Sequence, residues 1–273
     1  MKANVNIQVA LRNGTTCLAE SYCTPPFKVA NITEDKQANA LQLMLMCSSP
    51  GILDGDDHQV KIVLEAGCRL QLHTQSYQRL FTMQTGARQQ MEVHLKDNAS
   101  FTYLPHPAVP HGQSHFTAIN KIYVAHNCTL LWGEILTCGR KLNGEVFAYS
   151  KYHNITDIHI NNRLVIKENL LVQPALTDPM AMGQLEGYTH QASFIFLDEQ
   201  AAINSLSEMV NDYLLLQTSI SFGITTPAVN GMVVRILGHK AEQLFDCLKA
   251  IEKIITTQQT IKAINTKPVV HAG

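Results

Sequence analysis

The sequence predicts a mainly β fold, a β-helix-like stack of strands with two α-helices toward the C-terminus. Three observations carry that prediction. A phrase of turn, small, polar and apolar residues recurs as Gly67-Cys68-Arg69-Leu70, Asn98-Ala99-Ser100-Phe101 and Asn127-Cys128-Thr129-Leu130. The copies stand 31 and 29 positions apart, a period expected of stacked β units too small to bury an apolar face alone. The plain alternative is that similar hairpin turns recur by chance. The second observation is period-two alternation over the first two thirds of the chain, and the third is a change to helical spacing near Glu199.

Taken in order, Val60-Lys61-Ile62-Val63-Leu64, Leu70-Gln71-Leu72-His73, Met91-Glu92-Val93-His94-Leu95 and Ile155-Thr156-Asp157-Ile158-His159-Ile160 read as strands. Pro50-Gly51, Asp54-Gly55, Ala66-Gly67, Asp97-Asn98 and Asn143-Gly144 separate them. Glycine and asparagine adopt positive φ at low cost, as tight turns between twisted strands require. Ile203, Leu206, Met209, Val210, Tyr213 and Leu214 then recur on one helical face, as do Leu244, Phe245, Leu248, Ile251, Ile254 and Ile255. Between the two helices, Gly231-Met232-Val233-Val234-Arg235-Ile236-Leu237-Gly238 reads as a buried strand closed by glycine. Residues 267–273 are expected to fray.

The chain has 273 residues, enough for a sizeable core. No linker composition divides it, so residues 1–273 are expected to form one domain. Hydrophobic residues make up 45 % and charged residues 16 %, with a formal net charge of −1. So sparse and balanced a charge favours association with a protein partner. It argues against nucleic acid, because no basic run is present to neutralise phosphates. No basic patch precedes a long apolar stretch at the start, so no signal peptide is expected. The most apolar early window, residues 40–47, is far too short to span a bilayer. Seven scattered cysteines without a C-x-x-C pair fit reduced thiols in a cytoplasmic protein.

No nucleophile elbow, phosphate-binding glycine loop or His-Glu-x-x-His helix is present. Trp132 reads as core. His106, His111 and His115 share a proline-rich segment and are weak metal candidates, since imidazole suits nickel, copper or zinc but their spacing matches no closed site. His58, beside Asp54, Asp56 and Asp57, is a second candidate, although an Asp-Gly-Asp-Asp run is more often a polar turn. Glu134, Arg140 and Glu145 form a third set. In a strand-turn-strand hairpin they would converge on one side of a sheet, as an ion-pair network or as the charged lining of a passage.

Four blocks in order carry a family resemblance. They are Ser49-Pro50-Gly51-Ile52-Leu53-Asp54-Gly55-Asp56, the run from Leu72 through Thr74-Gln75-Ser76 to Phe81, Tyr103-Leu104-Pro105-His106-Pro107, and Glu134-Ile135-Leu136 with Gly139-Arg140. Together with Val234-Arg235-Ile236-Leu237-Gly238 before the last helix, they resemble the urease accessory protein of the UreD (UreH) family. The resemblance implies a β stack with two late helices and a non-enzymatic role in nickel delivery to apo-urease. It implies three partners: a helical accessory protein of the UreF type, a nickel-carrying GTPase of the UreG type and the urease apoprotein. The accessory proteins would assemble as two copies of each, with nickel in transit through an internal tunnel and no tightly bound cofactor. Gly51, Gly55 and Asp56, then Thr74, Gln75 and Ser76, then Glu134, Gly139 and Arg140 match the family blocks. His111 stands where relatives tend to place an apolar residue.

Within that reading Asp54, Asp56, Glu134 and Glu145 are the expected polar lining, with His73 and Gln75 as weak ligands and Arg140 holding a carboxylate in place. No tight metal site is expected, because a relay must release its cargo. The helices at residues 199–216 and 240–255 offer a docking face, though covering the β core is their ordinary duty. Two alternatives from other classes are a β-helical carbohydrate-acting enzyme using Asp56, Glu134 and Arg140, and a cupin-like metal-binding β-barrel.

Overall fold

Alternation of inward apolar and outward polar residues gives seventeen strands among the described residues. A computed structural model describes residues 1–34 and 40–265, so the tail expected to fray lies outside the described residues. The first strands are β1 (Lys2–Arg12), β2 (Thr15–Cys23), β3 (Phe27–Asn31), β4 (Leu41–Cys47), β5 (Asp57–Leu64) and β6 (Arg69–Thr74). Next come β7 (Gln78–Leu80), β8 (Ala87–Leu95), β9 (Ser100–Tyr103), β10 (Ala108–Pro110), β11 (His115–Val124) and β12 (Thr129–Thr137). β13 (Lys151–Ile160), β14 (Arg163–Val172) and β15 (His190–Asp198) precede helix α1 (Ile203–Leu215). β16 (Ser221–Thr225), β17 (Gly231–Gly238) and helix α2 (Ala241–Asn265) complete the order.

The strands form two sheets. One runs β14-β13-β11-β8-β5-β1-β2; the other runs β16-β17-β15-β12-β9-β6-β4-β3, with β10 beside β12 and β7 beside β10. From β4 to β13 the longer strands fall alternately on the second sheet and the first, and neighbours within each sheet are parallel. The mainly β class and the two helices are as the sequence predicts. A cupin-like barrel is built of antiparallel strands, so these parallel neighbours do not fit the β-barrel alternative.

The repeated phrase marks the turns that lead into β6, β9 and β12. Its first residue is left-handed in every copy, with φ 72° at Gly67, 61° at Asn98 and 54° at Asn127. The Ser100 amide donates to the Cys68 carbonyl at 2.8 Å and the Thr129 amide to the Ala99 carbonyl at 2.9 Å, so the copies lie side by side. Leu70, Phe101 and Leu130 stand in register on the second sheet, facing Ile62, Val93, Ile122 and Ile158 in register on the first.

A separate apolar layer lies on the other face of the second sheet. Ile203, Leu206, Val210 and Leu214 of α1 and Leu244, Leu248, Ile251 and Ile255 of α2 pack there against Leu131, Phe194 and Val234. The apolar faces proposed for docking are therefore covered by the protein's own sheet. α2 runs past residue 255 to Asn265. It packs tightly at Gly133, where a Cβ would sit 2.6 Å from Leu104 Cδ2 and 3.0 Å from Leu248 Cδ1. No helix among the described residues is long and apolar enough to cross a membrane.

The expected hairpin around residues 134–145 is corrected. β12 and β13 belong to different sheets, and the chain between them crosses over through a short 3-10 turn at Lys141–Asn143. Gly144 takes φ 80° there, so the Asn-Gly signal marked a real turn that does not join paired strands.

Candidate functional site

β12 is covered on both faces, and its residues divide by parity. Leu131 and Ile135 meet the helices, whereas Leu130, Trp132 and Leu136 face the space between the sheets. Glu134 shares the second parity, so its carboxylate projects into that space. Oε1 accepts from Trp132 Nε1 at 2.9 Å, Thr156 Oγ1 at 2.9 Å and Asn120 Nδ2 at 3.1 Å. Oε2 accepts from Asn154 Nδ2 at 2.5 Å. Asn120 also donates to Asn154 Oδ1 at 3.1 Å and to Thr156 Oγ1 at 2.9 Å, which fixes the donors themselves. Every donor is neutral. Burial pushes the Glu134 pKa up, opposed by the hydrogen bonds from Trp132, Thr156 and Asn154.

This carboxylate stands between two cavities. The first has a volume of ≈ 150 Å³ and the second ≈ 310 Å³. Glu134, Ile135, Tyr152 and Asn154 line both. The first cavity extends to His58, to the Ser49–Ile52 segment and to the segment from Thr74 to Gln78. The second extends to Glu168 and Arg235, which pair at 2.6 Å. Among the described residues no cationic side chain pairs with Glu134. A carboxylate held only by hydroxyl, amide and indole donors has no counter-charge of its own.

Of the other predicted lining residues, Gln75 reaches the first cavity. Asp54 instead accepts from the Thr85 and Gly86 amides at 2.9 Å each and from Thr85 Oγ1 at 2.8 Å, and these bonds lower its pKa to about 2. Asp56 is 7 % exposed; it accepts from the Met1 amine at 2.8 Å and the Leu53 amide at 2.9 Å, and lines a surface recess beyond the cavity. His73 has the parity of Gln71, which meets Glu252 of α2, and does not line the cavity. Arg140 grips both oxygens of Glu145, which also accepts from the Gly112 amide at 2.9 Å. The Arg140 guanidinium and that amide hold the Glu145 carboxyl at about 2. The carboxylate that Arg140 holds is Glu145, and the pair lies at the crossover turn. The acidic and basic residues required by the carbohydrate-acting alternative, Asp56, Glu134 and Arg140, lie in three separate environments.

The three weak metal candidates are also apart. His106 Nδ1 contacts Thr74 Oγ1 at 2.9 Å and its ring stacks on Phe245 of α2 at 4.8 Å. His111 packs on Phe81 at 4.7 Å, and His115 opens β11 against Gly86. Among the described residues no three His, Cys, Asp or Glu side chains are grouped to hold a metal ion. All seven cysteines are free thiols.

The profile described as UreD urease accessory protein matches residues 1–271. The chain belongs to the UreD urease accessory protein family. A Flavobacterium johnsoniae protein named urease accessory protein UreD is 46 % identical over 250 residues, spanning 91 % of this chain and 90 % of the relative. Proteins of the same name from Acetivibrio thermocellus and Haemophilus influenzae are 32 % and 31 % identical, spanning 93 % of this chain and 97 % and 99 % of the relatives.

The blocks that carry the UreD resemblance converge in space. Pro50 and Gly51, Thr74 and Gln75, Pro105 and His106, and Glu134 all border the first cavity, although they come from four separate segments. Sequence reasoning missed Asn120, Asn154 and Thr156. The signal was present. These polar residues share the parity of Phe116, Ala118, Ile122, Tyr152 and Ile158, the core-facing positions of β11 and β13. Trp132 is core as expected, and its indole also caps the carboxylate.

Proposed function

We propose that this chain is a urease maturation factor that acts as a cytoplasmic, non-enzymatic scaffold and nickel-delivery protein. It links a helical accessory protein of the UreF type and a nickel-carrying GTPase of the UreG type, two copies of each, to apo-urease. It hands nickel on through the space between its sheets. Family membership supports the maturation role. The single observation that supports the path is the carboxylate shared by the walls of two cavities.

A divalent cation leaving water for a protein interior needs compensating negative charge and replacement ligands. Glu134 supplies the charge as an arriving cation displaces to solvent the proton that burial favours, and the amide and hydroxyl oxygens of Asn120, Asn154 and Thr156 are hard, weak donors within its hydrogen-bond network. A thiolate cage would retain a borderline ion, whereas carboxylate, amide and water ligands exchange. Gln75 lies on the wall of the first cavity and serves as a neutral ligand on the approach.

The test is activation of apo-urease co-expressed with the accessory proteins and with E134A or D56A. Urease activity and nickel per active site are both expected to fall at least about tenfold for E134A, the loss produced when groups around a metal are removed. Normal activation and nickel content with both carboxylates removed would sink the path. Failure of the chain to co-purify with a helical accessory protein or the GTPase would sink the scaffold role.

A further inference from the structure

Asp54, Asp56 and Asp57 adjoin His58 in sequence where β5 begins, and the strand sends their side chains different ways. Asp57 turns outward to Arg88 at 2.6 Å, and Asp54 caps the turn at Thr85. His58 has the parity of Val60, Ile62 and Leu64 and turns inward. The residue is 1 % exposed and lines the same cavity as Glu134. Neither Nδ1 nor Nε2 has a hydrogen-bond partner. Phe27 meets the ring edge-on at 4.9 Å, and the nearest carboxylate oxygen, Asp56 Oδ2, is 3.6 Å from Nε2, too far for a hydrogen bond.

A buried imidazole whose two nitrogens lack partners carries an uncompensated desolvation penalty. A leucine or phenylalanine would fill the same position without that cost, so the ring calls for a ligand that is not part of the chain. Two metal–ligand bonds of about 2.1 Å span a 3.6 Å separation of Nε2 and Oδ2 with a bent angle at the ion. We propose that His58 and Asp56 form a two-ligand stop for a borderline divalent cation of the nickel class, at the β5 end of the cavity. This deepens the proposed nickel path and rests on it. No third His, Cys, Asp or Glu among the described residues completes the set, so water fills the remaining positions and the ion exchanges readily.

The experiment titrates the full chain with Ni²⁺ alone, comparing wild type with H58F, H58Q and E134Q, and records nickel-edge X-ray absorption. Second-sphere losses already cost about 10–100-fold in metal affinity. H58F and H58Q are therefore each expected to weaken Ni²⁺ binding at least about tenfold and to reduce imidazole scattering, while E134Q keeps that scattering. Unchanged affinity in H58F and H58Q alongside weakened binding in E134Q overturns the His58 stop and leaves the path standing. Unchanged binding in all three overturns both. Should the His58 variants fail to fold, a wild-type nickel spectrum without imidazole overturns the inference directly.

Discussion

The Asn154 amide on β13 donates a 2.5 Å hydrogen bond to the Glu134 carboxylate on β12, joining the two sheets at the wall between the cavities. Because burial raises the Glu134 pKa, the folded state holds its proton to higher pH than the unfolded chain does. Folded protein then binds more protons above the ordinary value of 4.5, and stability falls as pH rises through that window. Urea unfolding across pH is expected to show wild type losing stability relative to E134Q as pH rises. E134A strands donors on Trp132, Asn120, Asn154 and Thr156 and is expected to cost about 1–3 kcal/mol. A pH-independent difference between wild type and E134Q would contradict the assignment.

His190 gives the opposite slope. Burial first, then the Lys141 charge, lowers its pKa from 6.5 to about 4, and Nδ1 contacts Thr189 Oγ1 at 2.8 Å. The unfolded chain therefore binds a proton that the folded one refuses. Its contribution to stability is full above pH 6.5 and is lost progressively as pH falls toward about 4. H190Q is expected to flatten this part of the acid-unfolding profile. The same loss of stability over that range in H190Q would refute the assignment.

Gly133 leaves no room for a side chain between the second sheet and α2. G133A drives a methyl group into Leu104 and Leu248 and is expected to cost about 1–3 kcal/mol. L104A opens space beside it at a cost of about 2–5 kcal/mol when made alone. The double variant is expected to be less destabilised than the sum, which a double-mutant cycle by denaturant unfolding measures. Simple additivity would show that the close approach does not constrain the packing.

Asn98 and Asn127 hold the left-handed corner of two repeat copies, the position that Gly67 occupies in the third. Alanine at either place is expected to cost about 1–2 kcal/mol, while glycine, which adopts φ 61° or 54° freely, is expected to be close to neutral. Thermal or urea unfolding of the four single variants ranks them. Equal stability of the alanine and glycine variants would mean that the turn does not require this backbone.

The family was legible because its blocks are short stretches of fixed chemistry read along the chain. The strands were legible because side chains alternate at period two, and the repeat was legible because Gly67, Asn98 and Asn127 mark equivalent corners. The site was legible only in part. Glu134 could be singled out as a charge within an apolar strand, but its convergence with Arg140 and Glu145 assumed that consecutive strands are neighbours. In this topology β12 and β13 face each other from different sheets, so Asn154 reaches Glu134 and Arg140 does not.

By itself the sequence determined the mainly β class, the late helices, the turn positions and the family, all of which rest on local pattern and composition. Tertiary structure alone decided which polar residues share the interior. It brought Asn120, Asn154 and Thr156 to one carboxylate and turned Asp54, His73 and Glu145 away from the cavity that Glu134 lines. The physical reason is parity combined with crossover. One step along a strand reverses the face a side chain meets, and one passage between sheets changes the strand it opposes.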